Sequence, residues 1–257
     1  MTSERNHTVT PYLVPALERG LRILELLSRY PGGLTLTEMA SLRLPAASLY
    51  RLLVTLAELG YVVREESDRY RLSRKLLSLG YRGIDDASLV ETALEPMRRL
   101  RDRSGETVML GVLHGAEGIV IESVHSSQAV CVSVRIGHHY PLHTTAPGKA
   151  MLAFLPDREQ KELLRKLHYT KFTKVTIDSA EAFERELAEV RRLGIAYDRG
   201  EELPELRCVG APVLDVSGYP VAAVWIGGPE SRLDDRTLEQ LGTMVRETAV
   251  QIQERLC

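Results

Sequence analysis

Residues 34–72, LTLTEMASLRLPAASLYRLLVTLAELGYVVREESDRYRL, leave few folds open to this chain. They read as a helix, a tight turn, a second helix and a short hairpin. The second helix opens at Pro45, whose missing N–H costs nothing in a first turn that has no partner for it. Leu49, Leu52, Leu53 and Leu56 recur at helical spacing and build one buried stripe. The other face shows Ala46, Ala47, Ser48, Tyr50 and Arg51. Side chains that are small at the helix start, then hydroxylated and cationic, suit close approach to a major groove, with hydroxyls on base edges and a guanidinium on phosphate. Gly60 stands where a helix ends on a left-handed residue. YVVRE and RYRLS then pair around Glu66, Ser67 and Asp68 as a basic wing carrying Arg64, Arg69 and Arg71. An ordinary helical hairpin beside a ribbon would share the spacing; the polar helix face and the basic wing favour double-stranded DNA.

The preceding residues support this reading. Residues 14–33 form an amphipathic helix with Leu17, Leu21, Leu24 and Leu27 on its apolar side and a Pro-Gly-Gly stop. Thr35 and Glu38 have the spacing of a capping box, which opens a first helix of about eight residues. Charge agrees. Residues 1–82 hold 12 Lys plus Arg against 8 Asp plus Glu, a net +4, while the remainder carries −6. A basic N-terminal part on an acidic body suits a DNA reader joined to something that does not touch DNA.

At 257 residues the chain is long enough for two domains, and 44% apolar with 26% charged residues is ordinary globular composition. No stretch has the apolar length of a membrane helix, and MTSERNHTVTPY lacks a signal-peptide core, so a cytoplasmic protein without a membrane partner is expected. Residues 1–11 are polar and expected to be disordered. Cys131, Cys208 and Cys257 lie too far apart for a disulfide framework, which fits a reducing compartment.

Residues 73–104 read as a short linker helix near 75–82 and a second helix from about Ser88 to Arg103, with Leu89, Ala93, Met97 and Leu100 on one face and Pro96 as a kink or a later start. From 106 the period changes to two. Strand-like runs flank His114-Gly115-Ala116, and AVCVSVRIG (129–137) reads as a third strand. Helices follow at 147–155, 157–168 and 179–193, strands at IAYD, RCVGAPVLD and PVAAVWIGG, and a last helix at 234–255. Hairpin strands with peripheral helices give an α+β domain on an antiparallel sheet.

PALERGLRIL (15–24), LTLTEMA (34–40), LPAASLYRLLVTLAELGYV (44–62), SGETVMLGVL (104–113), PLHTTAPGKAMLA (141–153), ELAEVRRLGIAYDRGEE (186–202), RCVGAPVLD (207–215) and IGGPESRL (226–233) together resemble the IclR family of bacterial transcriptional regulators. The likeness spans about residues 14–256. It implies a winged helix-turn-helix over 12–74, a linker helix over 75–87 and a GAF/PAS-like effector-binding domain over 88–257. It further implies homodimers or dimers of dimers on a pseudo-palindromic operator, a small organic acid as effector, and neither cofactor nor catalysis.

The family's effector site maps onto Ala129, Val132 and Tyr140 ahead of PLHTTAPGKA, then Ala146 and Pro147, Asp198, Leu206 and Cys208, and Trp225 and Gly227, two positions where many members carry Ser. A helix opening near Pro147 would offer the N–H groups of Gly148, Lys149 and Ala150 to a carboxylate; equally, TTAPGKA is a well-made helix start with Lys149 in solvent. Trp225 removes a hydroxyl and adds an indole, which favours an aromatic or branched acid if it lines the pocket and leaves a constitutive regulator if it fills it. Pro204, where members usually have Gly nearby, stiffens one wall. His138, His139 and His143 with Cys208 are a weak metal pattern, since HHYPLH reads better as loop and turn. Cys208 lacks the spacing of a hydrolytic triad, so an enzyme on the C-terminal domain is the remote alternative. Redox sensing by Cys131 or Cys208 is open, and Arg135 reads as an effector-facing cation or, the preferred reading, a solvated strand residue.

Overall fold

A computed structural model describes residues 13–65, 67–76, 79 and 86–256. The expected polar N-terminus, Glu66, most of the expected linker helix 75–87 and Cys257 lie outside the described residues. The chain divides into two compact units, residues 1–85 and 86–257.

In the first unit, α1 (Pro15–Ser28) buries Gly20, Ile23 and Leu27. Leu17 and Leu21, expected on the core side, are 62% and 51% exposed. The helix is apolar over a broad arc, and a small domain covers only one side of it. The capping box forms: the Thr35 N–H donates to Glu38 Oε2 at 2.8 Å and the Glu38 N–H to Thr35 Oγ1 at 3.4 Å. It opens a 3-10 turn, Glu38–Leu42, shorter than the expected helix. Arg43 closes the turn in the left-handed region, at φ 51°, and Pro45 disfavours helical backbone at Leu44. Pro45 is itself the cap of α2 (Ala46–Glu58), one residue ahead of the helix it was expected to begin.

Gly60, at φ +75°, ends α2. Its N–H donates to Ala57 O and that of Tyr61 to Leu56 O, both at 2.8 Å, the paired closure of a Schellman motif. Strands β1 (Val62–Arg64) and β2 (Tyr70–Leu72) make the wing. Leu34 bridges to Tyr70, and Gly33 has no room for a side chain, since a Cβ would lie 2.8 Å from Tyr70 O. Ile23, Leu27, Met39, Leu49, Leu53, Val62 and Tyr70 form the core.

The second unit begins with α3 (Asp86–Ser104), which runs through Pro96. Leu89, Ala93, Met97 and Leu100 are its buried stripe, as the spacing predicts. Strands β3 (Thr107–His114), β4 (Glu117–Val124), β5 (His139–Pro141), β6 (Ala196–Asp198), β7 (Leu206–Leu214) and β8 (Pro220–Pro229) form one antiparallel sheet in the order β5-β4-β3-β8-β7-β6. Alternation sends Val108, Leu110, Val209, Ala211, Val224 and Ile226 to one face, against α3 and the terminal helix α7 (Asp235–Leu256). Met109, Cys208, Ala223 and Trp225 go to the other face, against α4 (Ala146–Phe154) and α6 (Ala180–Leu193). Between these helices lies α5 (Asp157–Leu164), four residues shorter than expected.

The expected third strand, 129–137, is not in the sheet. Its alternation holds at the centre, where Val132 and Val134 are half-buried between the exposed Cys131, Ser133 and Arg135, and fails at the ends, where Val130 and Ile136 are 67% and 62% exposed. The segment runs instead as a strap across the sheet face that α4 covers, bonded through its backbone to β4 at its end, Gly137. Thr107 Oγ1 donates to Val132 O at 2.7 Å, and Arg232, held by both oxygens of Glu106, donates to Val130 O at 2.8 Å. These side chains do for the strap what ladder hydrogen bonds do for a strand.

Candidate functional site

The first candidate surface is the outer face of α2. Leu49 and Leu53 anchor the helix, which leaves Ala46, Ala47, Tyr50 and Arg51 exposed and Ser48 half-buried. Tyr50 is 45% exposed. Among the described residues the Arg51 guanidinium makes no ion pair or hydrogen bond. The wing arginines differ in this respect. Arg64 pairs with Asp68 at 2.6 Å and Arg71 with Glu65 at 2.5 Å. Arg69 donates to Gly32 O at 3.1 Å, Gly33 O at 2.9 Å and Glu38 Oε1 at 3.3 Å, and so ties the wing to the capping box.

The second candidate is a cavity of about 480 Å3 between the sheet, the strap and the loop after β6. Val132, Tyr140, Pro147, Asp198, Leu206, Cys208 and Trp225, all expected there, line it. Trp225 stands edge-on to Tyr140, with centroids 5.5 Å apart and planes at 63°, and the space beside the indole stays open. The Tyr140 ring lies over Gly118, where a Cβ would be 2.1 Å from Cε2. Its hydroxyl is buried without a hydrogen-bond partner, and burial raises its pKa. Met109, Val120, Val134 and Leu203 extend the apolar lining; Ser133, His138, Thr145 and Glu202 add polar groups not expected there from the pattern, and Arg135 joins them. Arg135, read as a solvated strand residue, is exposed but at this cavity.

The remaining expected positions stand outside the lining. Ala129 is exposed on the strap and Ala146 is buried. Gly227 is a relief in the floor: a Cβ there would lie 2.9 Å from Met109 Cε and 3.5 Å from Cys208 Sγ. Gly148 and Lys149 do not offer free N–H groups. Thr145 caps the helix, its Oγ1 accepting from the Gly148 N–H at 3.4 Å and its carbonyl from the Lys149 N–H at 3.1 Å. The Lys149 side chain is 1% exposed and points into an ion cluster. Nζ lies 2.5 Å from Glu201 Oε1, 2.9 Å from Tyr197 O and 3.2 Å from Glu186 Oε1.

That cluster backs the cavity wall. Asp198 Oδ1 accepts the N–H groups of Gly200 at 3.0 Å and Glu201 at 2.8 Å, which folds the loop so that Glu201 meets Lys149 and Glu202 meets the cavity. Burial pushes the Asp198 carboxyl up to about 6 and that of Glu201 up to about 7, against the pull of Lys149. Burial also pushes the Cys208 thiol up, so it stays protonated and is a poor nucleophile. His138 lines the cavity, His139 Nδ1 sits 2.9 Å from Glu117, and the buried His143 bonds Thr170 O at 3.1 Å, so the histidines diverge. Among the described residues no three metal-ligating side chains converge.

A carboxyl whose folded pKa is raised is penalised once it ionises, so its contribution is present at low pH and lost as pH rises through the folded value. Between pH 8 and 6.5 the native C-terminal unit takes up protons, mostly at Glu201 and less at Asp198, and its stability is expected to rise by roughly 1 kcal/mol. Below 6.5 His143 opposes this, because burial lowers its pKa and the unfolded chain protonates first. Urea unfolding followed across this window tests the sign; a Glu201→Gln variant should flatten the rise, and an equal rise in that variant would refute the assignment.

A family model described as "IclR helix-turn-helix domain" matches residues 16–66, and one described as "Bacterial transcriptional regulator IclR C-terminal" matches residues 82–254. The HTH-type transcriptional regulator XynR of Escherichia coli is 32% identical over 246 residues, covering 95% of this chain and 98% of that protein. The crystal structure of Thermotoga maritima IclR aligns with a TM-score of 0.76 at 31% identity, over 94% of this chain and 98% of that one. An IclR homologue from Microbacterium hydrocarbonoxydans, complexed with 4-hydroxybenzoate, aligns with a TM-score of 0.82 at 26% identity, over 94% and 98%.

Proposed function

The chain belongs to the IclR family of bacterial transcriptional regulators, and on that premise we propose that it reads a pseudo-palindromic operator as a homodimer or dimer of dimers in the cytoplasm and changes its hold on DNA when an organic acid enters the C-terminal cavity. One observation carries the DNA reading: α2 is anchored by Leu49 and Leu53 while Ala46, Ala47, Tyr50 and Arg51, which has no ion-pair partner among the described residues, face outward. Ala46, Ala47, Ser48 and Tyr50 approach base edges, Arg51 takes a phosphate, and Arg64 and Arg69 contribute from the wing, with Arg69 less available because it also ties the wing down. Dimer formation through the N-terminal unit is supported by an apolar groove of about 820 Å3 between α1 and α2, rimmed by the exposed Leu17, Leu21 and Leu59.

For the effector, the Trp225–Tyr140 wall and the width of the cavity favour an aromatic or branched acid over a two-carbon acid. That one similar protein was crystallised with 4-hydroxybenzoate supports the same class. The open space beside Trp225 speaks against a permanently filled pocket.

The test is DNA affinity. With an operator selected from random duplexes by the wild-type protein, Arg51→Ala should weaken all sequences roughly tenfold and lower the salt slope by about one. Tyr50→Ala should instead change the ranking of half-sites. Unchanged affinity and ranking in both variants, measured by fluorescence anisotropy, would remove α2 as the reading helix.

A further inference from the structure

We propose that the anionic group of the effector is held by the turn Arg135–His138 on the strap, not by the start of α4, and that Arg135 and His138 decide which charge this cavity admits. The proposal rests on the effector reading above and assigns the residues that recognise the acid.

The turn is built to bring these two side chains together. The His138 N–H donates to Arg135 O at 3.1 Å, the bond between first and fourth residues of a β-turn. Gly137 is third, at φ +84°, the left-handed conformation that a type II turn demands there. Such a turn brings the Cα atoms of Arg135 and His138 within about 7 Å. The turn is docked on β4: Gly137 N–H donates to Val120 O at 2.7 Å, and Val120 N–H to His138 O at 2.9 Å. Val120, Arg135 and His138 all line the cavity. Neither Arg135 nor His138 has an ion-pair partner among the described residues.

The rest of the cavity excludes the other candidates. Lys149, the cation nearest the start of α4 in sequence, is consumed by Glu186 and Glu201 behind the wall. Thr145 already caps the N–H groups of Gly148 and Lys149. The carboxyls of Asp198 and Glu202 also line the cavity, and a second carboxylate beside them would meet like charge. Arg135 and the His138 imidazole thus come from the strap and the acids from β6 and the loop after it, with Glu202 near enough to His138 for that side chain to oppose the rise that burial gives the Glu202 pKa. A ligand that satisfies both ends places its carboxylate at the strap, its body against Trp225, Met109 and Leu206, and a hydroxyl donor toward Asp198.

Calorimetry on the full chain with 4-hydroxybenzoate and its neutral counterpart 4-hydroxybenzamide tests this. The wild type should prefer the acid. Arg135→Gln should weaken the acid about tenfold, leave the amide unchanged and so erase the preference, and His138→Gln should act in the same direction. Gly137→Ala keeps both side chains but strains the turn, and should also weaken the acid; a Cβ there meets nothing within 4 Å, so the effect is conformational. Wild-type affinity for the acid in both Arg135→Gln and His138→Gln would overturn the proposal while leaving an acid effector in place. A wild type that prefers the amide, or binds neither probe, would overturn the proposal together with the acid reading, and operator binding would still be judged separately by the Arg51→Ala and Tyr50→Ala variants.

Discussion

Lys149→Ala is expected to destabilise the C-terminal unit by about 3–5 kcal/mol, the cost of leaving a buried charge without its partner. Glu201 is the group left stranded. Its side chain is 8% exposed, Oε1 reaches Lys149 Nζ, and Oε2 already lacks a hydrogen bond. Glu186, at 30% exposure, recovers solvent more easily. Because Lys149 restrains the raised Glu201 pKa, its removal lifts that pKa further, and Glu201 should protonate rather than stay charged. The defect should therefore shrink as pH falls below 7. Lys149→Met combined with Glu201→Leu should recover most of the loss, since a buried ion pair replaced as a pair by apolar residues is near neutral. Chemical unfolding monitored by circular dichroism measures all of this. A loss under 1 kcal/mol in Lys149→Ala, or no recovery in the double variant, would show that the cluster is not closed as described.

Gly148→Ala and Gly227→Ala should separate two glycines that the sequence presents alike. A Cβ at Gly148 would lie 2.3 Å from Leu142 O and 2.5 Å from its Cα. Backbone cannot rotate away, and α4 is buried from Ala146 to Ala153, so the helix must move. We expect a loss of about 3 kcal/mol or more, at the upper end of overpacking costs. At Gly227 the nearest atom is Met109 Cε, the far end of a flexible side chain, at 2.9 Å. Met109 can turn into the cavity, so the loss should be about 1 kcal/mol or less, with reduced ligand volume as the visible effect. Equal losses in thermal unfolding would refute this account of the cavity floor.

Much of the fold was legible because its causes are local. The capping box at Thr35 and Glu38, the helix stop at Gly60, the hairpin at Gly115 and the buried stripe Leu89, Ala93, Met97 and Leu100 each depend on residues within a few turns of one another. Seven of the expected cavity residues were placed by likeness to the family, and they do line one cavity.

What local pattern determined, then, was most of the order of elements, the exposed face of α2 and the two faces of the sheet. Only tertiary structure decided the rest. α4 is buried all round, so it has no polar side from which to read which residues meet the cavity. Lys149 turns inward because its partners arrive from 37 and 52 residues away. The strap's sequence alternates like a strand, but its middle is held by Thr107 and Arg232, the latter more than 90 residues distant along the chain, and only its end bonds to β4 through the backbone. Leu17 and Leu21 look like core because period reports where apolar side chains fall on a helix, not which of two apolar arcs the domain has surface enough to cover.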